Sequence, residues 1–413
     1  MKKKLLPALI VVMLIAVAAA SFVILREHKD KGYDEDQSAG TASEQQDEDE
    51  ADDDGDEYAE TEPLATLFFA SDYQEEEGFE EPSVTLSNIL ETANDNGKDI
   101  DMVVICGDYT NEPRLYDYQL SPDDSISEIR EVVNSECPDV DAYETDEDAD
   151  VLFVQGNHDR MSDQITPTGL HEYEDYLVYV LNTEEDFPWK QGKTYGCLAK
   201  VRRSSAEMKE CFDKLISRGE TRPVFIAGHV PLHYTARTSS RHTTGDNLYS
   251  SLIFDVVNEA AKSLDIVYLF GHDHSKGWDC YLGGSSVYKA KGDTILIPRF
   301  SEEMITTDDF SQKTLRFTYM NAGYTGYYIN CGTDEHEAGE TEMYRAADET
   351  LTGTVFEIYK DRIAVTRYDG AGVHVLGHGG EADPYKGGID TGLIDEDDYS
   401  TGTDSPQEIY LKE

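Results

Sequence analysis

Five short polar motifs each close an apolar run, and this recurrence constrains the fold more than any other feature of the chain. Ser71-Asp72-Tyr73-Gln74 follows Thr66 to Ala70, and Gly107-Asp108-Tyr109-Thr110-Asn111 follows Asp101 to Cys106. Gly156-Asn157-His158-Asp159 follows Val151 to Gln155, Gly228-His229 follows Pro223 to Ala227, and Gly271-His272-Asp273-His274 follows Ile266 to Phe270. Short apolar runs without polar alternation read as strands buried on both faces. Between them lie helical patterns. After Ser83, residues Leu86, Ile89, Leu90 and Ala93 share one face, and Ile126, Ile129 and Val133 form a second stripe. Ser121-Pro122 reads as its cap, with Pro at the first helical position. Strands alternating with amphipathic helices predict a layered α/β fold, whose sites form beyond the carboxyl ends of the strands. All five motifs stand there.

After residue 280 the pattern changes to strand-like runs without helices: Ser286 to Lys289, Thr294 to Ile297, Leu315 to Tyr319, Val355 to Tyr359 and Ile363 to Tyr368. These predict a second, partly antiparallel sheet. The domain is read as residues 64–376, preceded by an N-terminal helix and flank at 1–32 and an acidic linker at 33–63. An acidic, Gly-rich tail at 377–413 follows, read as poorly ordered.

At the N-terminus, Lys2, Lys3 and Lys4 precede an apolar run of 21 residues, Leu5 to Leu25. That is long enough for a helix to cross ~30 Å of hydrocarbon. A secretory signal cleaved near Ala18-Ala19-Ala20 is the alternative, but the apolar run continues past that point through Phe22, Val23, Ile24 and Leu25. Either way, lysines that favour a cytoplasmic N-terminus place the rest of the chain outside the membrane. Asp34 to Glu62 carries fifteen acidic residues and no basic one. Such a segment cannot bury enough apolar surface to offset its ordering entropy, and it reads as an extended spacer.

The net charge of −51 argues against nucleic acid as a partner, because binding to phosphate backbones is driven by Lys and Arg clusters. Six cysteines in an exported chain invite a disulfide framework, yet Cys106 lies inside a strand and Cys211 on a helix face with Met208, Phe212 and Leu215. Both read as thiols buried as small hydrophobes. Pairing among Cys197, Cys280 and Cys331 stays open.

The motif side chains are carboxylates, a carboxamide and imidazoles, the donors that suit a pair of divalent transition-metal ions. Their order resembles the calcineurin-like metallophosphoesterase superfamily, with its D-x-H, G-D-x-x-[DN], G-N-H-[DE], a later His, and G-H-x-H. The resemblance covers about residues 66 to 275. It implies an αββα sandwich of two mixed β-sheets flanked by helices, and an enzyme that hydrolyses phosphate mono- or diesters by a metal-bridging hydroxide. It assigns Asp72 and His274 to a first metal ion, Asp108 to both, and Asn157, His229 and His272 to a second. It makes His158 the residue that protonates the leaving oxygen, with Asp159 orienting it.

One position departs from the family. Gln74 stands where the D-x-H histidine belongs, and its carbonyl oxygen is a weaker donor than imidazole. Either the first site keeps an oxygen-rich shell that favours Mn²⁺, with Fe or Zn as alternatives, or that site is weak. Purple acid phosphatases also lack this histidine but end the second motif in Tyr, where this chain has Asn111. Arg237 and Arg241, just after His229, have the fork geometry for a substrate phosphate, against a solvated loop as the alternative. His233 reads as structural or as approaching the site, and His171 as a surface-loop residue. The Tyr-rich stretch 317–328 reads as sheet packing rather than a pocket wall. The rival to an enzyme is a catalytically weak or silent surface binding module that keeps the fold.

Overall fold

The computed structural model describes residues 62–74, 82–110, 121–145, 149–183, 195–233, 249–272, 288–298, 310–326, 352–369, 373–374 and 407–412. The Leu5 to Leu25 run, nearly all of the acidic linker, Arg237, Arg241, His274, Cys280 and Cys331 lie outside them. Among the described residues no helix is long and apolar enough to cross a membrane.

Three parallel strands begin the first sheet: β1 (Ala65–Ala70), β2 (Met102–Ile105) and β3 (Val151–Phe153). The second sheet is built on β4 (Gly169–Glu172), β5 (Leu177–Leu181), β6 (Val224–Gly228) and β7 (Ile266–Phe270), with β5, β6 and β7 parallel. The closing strands are β8 (Tyr288–Lys289), β9 (Thr294–Pro298), β10 (Phe310–Thr314), β11 (Thr318–Asn321), β12 (Thr352–Ile358), β13 (Arg362–Asp369), β14 (Val373–His374) and β15 (Gln407–Tyr410). These do not form a separate sheet, contrary to the sequence expectation. β12 and β13 extend the first sheet, in the order β14-β13-β12-β1-β2-β3, and β8 and β11 complete the second, in the order β4-β5-β6-β7-β11-β8. Among the described residues, only β9 and β10 pair apart. The open edges of β1 and β7 offer unpaired backbone groups, and later strands satisfy them there.

Side chains alternate along each strand and so divide between two cores. Leu67 and Phe69 of β1 join Met102, Val104, Phe225 and Leu269 between the sheets. Phe68 and Ala70 face the other way, onto helices α1 (Pro82–Asp95) and α2 (Asp123–Glu136). The outer face of the second sheet packs on α3 (Tyr195–Ser217) and α4 (Ser250–Ala260) through Tyr179, Phe212, Phe254 and Val257. The result is the αββα sandwich. Each fully buried Phe contributes roughly 1.5–3 kcal/mol relative to exposure, so these three cores fix the strand ends firmly.

Several local expectations change. Pro122, not Ser121, is the N-cap of α2, and it makes no side-chain capping bond. His171 lies on the edge strand β4 rather than in a loop. Phe317, Tyr319 and Tyr324 are buried packing residues, as read. Cys106 and Cys137 are buried free thiols, and Cys211 is a half-buried one. The tail read as poorly ordered contains β15, which pairs with β13. Beyond it, Lys412 Nζ donates to the carbonyls of Ala261 and Leu264 at 3.0 and 2.7 Å, at the end of α4.

Candidate metal centre

The carboxyl ends of β1, β2, β3, β6 and β7 deliver Asp72, Asp108, Asn157, His229 and His272 to one place. Backbone bonds lock their loops together. Asp72 N–H donates to Gly107 O at 2.9 Å, Gln74 N–H to Asp108 O at 3.0 Å, and Gly271 N–H to His229 O at 2.9 Å. Ser71 Oγ donates to Cys106 O at 2.8 Å. Gly107 is required here: its φ is +87°, and a Cβ would sit 2.8 Å from His229 Nδ1. Among the described residues, the non-glycine residues with positive φ are Asp72 (51°), Gln74 (30°), Asp108 (57°) and His272 (66°). Such conformations cost on the order of 1–3 kcal/mol each and persist where surrounding structure over-determines them. All four carry expected ligands.

The donors converge. His229 Nε2 lies 3.2 Å from Asp108 Oδ2 and 3.1 Å from Asn157 Oδ1. Its Nδ1 is 2.7 Å from Cys106 O. A carbonyl only accepts, so Nδ1 carries a proton, and Nε2 is the nitrogen turned toward the cluster. Ligand atoms of Asp108, His229 and His272 lie within 4.8 Å of one another. The His272 N–H donates to Asp72 Oδ2 at 2.9 Å, which draws Asp72 into the same cluster. Gln74, 2% exposed, donates from Nε2 to Asp108 Oδ2 at 3.2 Å, while its buried Oε1 has no hydrogen-bond partner among the described residues. A buried orphan oxygen beside a carboxylate fits a site for a cation. The donor spacing fits too, because metal bonds of about 2.1 Å at right angles separate neighbouring ligands by about 3 Å.

Electrostatics agree with that reading. Burial alone would disfavour both charges of the Asp108–His229 pair. His229 and His158 nonetheless hold Asp108 far below the usual carboxylate range, and Asp108 raises His229 to about 10. Burial pushes Asp72 up to about 7, with His229 opposing and Asp108 adding to the rise. Cations held by Asp72, Asp108 and His229 would take the place of these protons and offset the crowded carboxylates.

His158 stands at the rim. Its side chain is 24% exposed with Nε2 3.9 Å from Asp108 Oδ2, and its N–H donates to Asp108 Oδ1 at 2.9 Å. The Asp159 carboxylate accepts the N–H groups of Asp108 and Gly156 at 2.8 Å and of Tyr109 at 2.9 Å, so it clamps two ligand loops. His233 is buried with Nδ1 2.7 Å from the Tyr319 hydroxyl, a structural placement. His274, Arg237 and Arg241 fall outside the described residues. No motif pointed to the Tyr73 hydroxyl, which donates to Glu128 of α2 at 2.7 Å and ties the first motif to that helix.

A family model described as calcineurin-like phosphoesterase matches residues 67–276, half of the chain and every motif. Among solved structures, a dimetal phosphatase from Danio rerio is 12% identical with a TM-score of 0.39, over 76% of this chain and 98% of that one. A putative 5'-nucleotidase from Staphylococcus aureus in complex with alpha-ketoglutarate is 10% identical with a TM-score of 0.32, over 73% of this chain and 50% of that one. No curated protein matches the chain.

Proposed function

The chain belongs to the calcineurin-like phosphoesterase family, and from that premise we propose an exported, membrane-anchored enzyme that hydrolyses phosphate mono- or diesters with two divalent ions. The observation that carries the reading is the convergence of Asp108, His229 and His272 within 4.8 Å of one another, with His158 at the rim. Asp72, Gln74, Asp108, Asn157, His229, His272 and His274 are the proposed ligands, and Mn²⁺ the proposed metal, because Asp72, Asp108 and Gln74 offer hard oxygen donors. Divalent ions at such a centre lower the pKa of water and offset negative charge on phosphoryl oxygens.

The chain's own residues supply the rest. Asp108 faces both halves of the donor cluster, Oδ2 toward His229 and Gln74, Oδ1 held by the His158 N–H. His158, half-buried where the ligands are fully buried, holds the proton that the leaving oxygen takes up, since imidazole titrates nearest neutral pH. Arg237 and Arg241 are the proposed phosphate-orienting groups. A silent binding module has no use for an imidazole in that position.

The full-length chain should release nitrophenol from aryl phosphate mono- or diesters when Mn²⁺ is added, and chelation should stop it. No hydrolysis of either ester by metal-loaded protein would favour the binding module. The Leu5 to Leu25 run is the proposed anchor. The chain should therefore stay with membranes through an alkaline wash, and its release would point to a cleaved signal.

A further inference from the structure

Arg367 is the most deeply enclosed arginine or lysine of the described residues, 1% exposed on β13, a strand beyond the residues that match the family. Enclosing a guanidinium costs several kcal/mol unless its donors are satisfied, so where those donors point is informative. Nη2 donates to Asn321 O, and Nε donates to Thr354 Oγ1 at 3.2 Å. Thr354 Oγ1 in turn donates to Ala322 O at 2.9 Å. Arg367 and Thr354 thus grip two consecutive carbonyls where β11 ends.

The chain beyond that grip runs to the first motif. Gly323 turns it at φ +103°, after its N–H donates to Asn321 Oδ1 at 2.7 Å. Tyr324 O accepts the Thr352 N–H at 2.8 Å. Thr325 N–H then donates to Ser71 O at 3.1 Å and Gly326 N–H to Asp72 O at 2.8 Å. The approach is close: a Cβ on Gly326 would lie 2.7 Å from the carbonyl oxygens of Asp72 and Tyr73. Asp72 is one of the strained residues, with φ +51°.

We infer that Arg367 is a positioning residue for the metal ion held by Asp72, acting through the brace Asn321–Gly326. The inference rests on the metal-centre reading above. A side chain with only a packing role would loosen the whole fold, whereas a brace on Asp72 loosens one ion. Burial lowers the Arg367 pKa to about 9, with Tyr324 opposing, so the guanidinium stays charged at neutral pH.

The test is Mn²⁺ binding to the full chain, without substrate, by calorimetry. Arg367→Met and the milder Thr354→Val should each weaken one of the two ions about 10-fold, the scale of outer-shell partners, and leave the other unchanged. Neither should weaken Mn²⁺ further in an Asp72→Asn background. Lys412→Met is the control, since Lys412 Nζ also donates to two backbone carbonyls, those of Ala261 and Leu264, but at the amino end of β7, opposite the motif loops. It should lower the melting temperature and leave the isotherm in place. If Arg367→Met does not fold, Thr354→Val carries the test alone. Isotherms that overlay the wild type, or equal weakening of both ions, would overturn the inference. A wild-type chain that binds no Mn²⁺ would overturn the metal-centre reading and this inference with it.

Discussion

The carboxylate of Asp159 accepts the backbone N–H of Asp108 at 2.8 Å and so holds the proposed bridging residue in its left-handed conformation. The same oxygen takes Gly156 N–H, joining the second motif to the third. Asp159→Asn replaces an acceptor with an amide that opposes N–H donors. It should weaken Mn²⁺ binding by roughly 10–100-fold and leave the pH dependence of turnover unchanged. A shifted pH profile with normal metal affinity would return Asp159 to an orienting role on His158.

His158 and Asp108 should separate cleanly. His158→Ala should lower turnover by about 10²–10⁴-fold, the range for a positioned general acid, with metal content near normal. Asp108→Ala should deplete both ions. Comparable metal loss in the two variants, measured by elemental analysis, would contradict the division of roles.

Gln74 should behave as a weak ligand through its buried Oε1. Imidazole is the stronger donor, so Mn²⁺ affinity should fall in the order Gln74→His, wild type, Gln74→Ala. Titrating metal against the three forms reads the order directly. Coincident curves would mean that the amide serves only as a hydrogen-bond donor to Asp108.

Stability should depend on acid through the entry to β6, the strand that delivers His229. Hydrogen bonding from Arg222, with Arg218 adding to it, lowers Glu220 from 4.5 to about 2 in the folded chain, against a smaller opposing effect of burial. A depressed carboxylate stabilises the fold above its unfolded pKa, and that contribution is lost as pH falls from about 4.5 to 2. Arg218 and Arg222 sit partly in solvent, which limits the effect to about 1 kcal/mol. Glu220→Gln should flatten the melting-temperature profile across that window and leave neutral-pH metal binding alone.

The strands that deliver ligands were legible because burial on both faces removes polar alternation, as in Ile266–Phe270, which the structure reproduces residue for residue. β5 is a comparable run, Leu177–Leu181, but it carries no motif and leads instead to Asn182, which accepts Gln155 N–H at 2.8 Å. β4, half-exposed and only four residues long, has no pattern to find. The sheet that each closing strand joins is a tertiary choice, made by which edge stands open, so local sequence did not hold it. Within the site, the motifs showed which strand ends carry carboxylates, a carboxamide and imidazoles, and the resemblance supplied the roles proposed for them. Asp159's true partners were not, because backbone amides have no sequence signature. Arg367 left one trace, a charge within the apolar run Ile363 to Tyr368.

The most direct measurement counts Mn²⁺ against phosphoester turnover in the full-length chain. Two ions should bind, aryl phosphate hydrolysis should rise with the second equivalent, and chelation should abolish it. Two bound ions with no hydrolysis of either a monoester or a diester, or hydrolysis that survives complete metal removal, would contradict a dinuclear phosphoesterase.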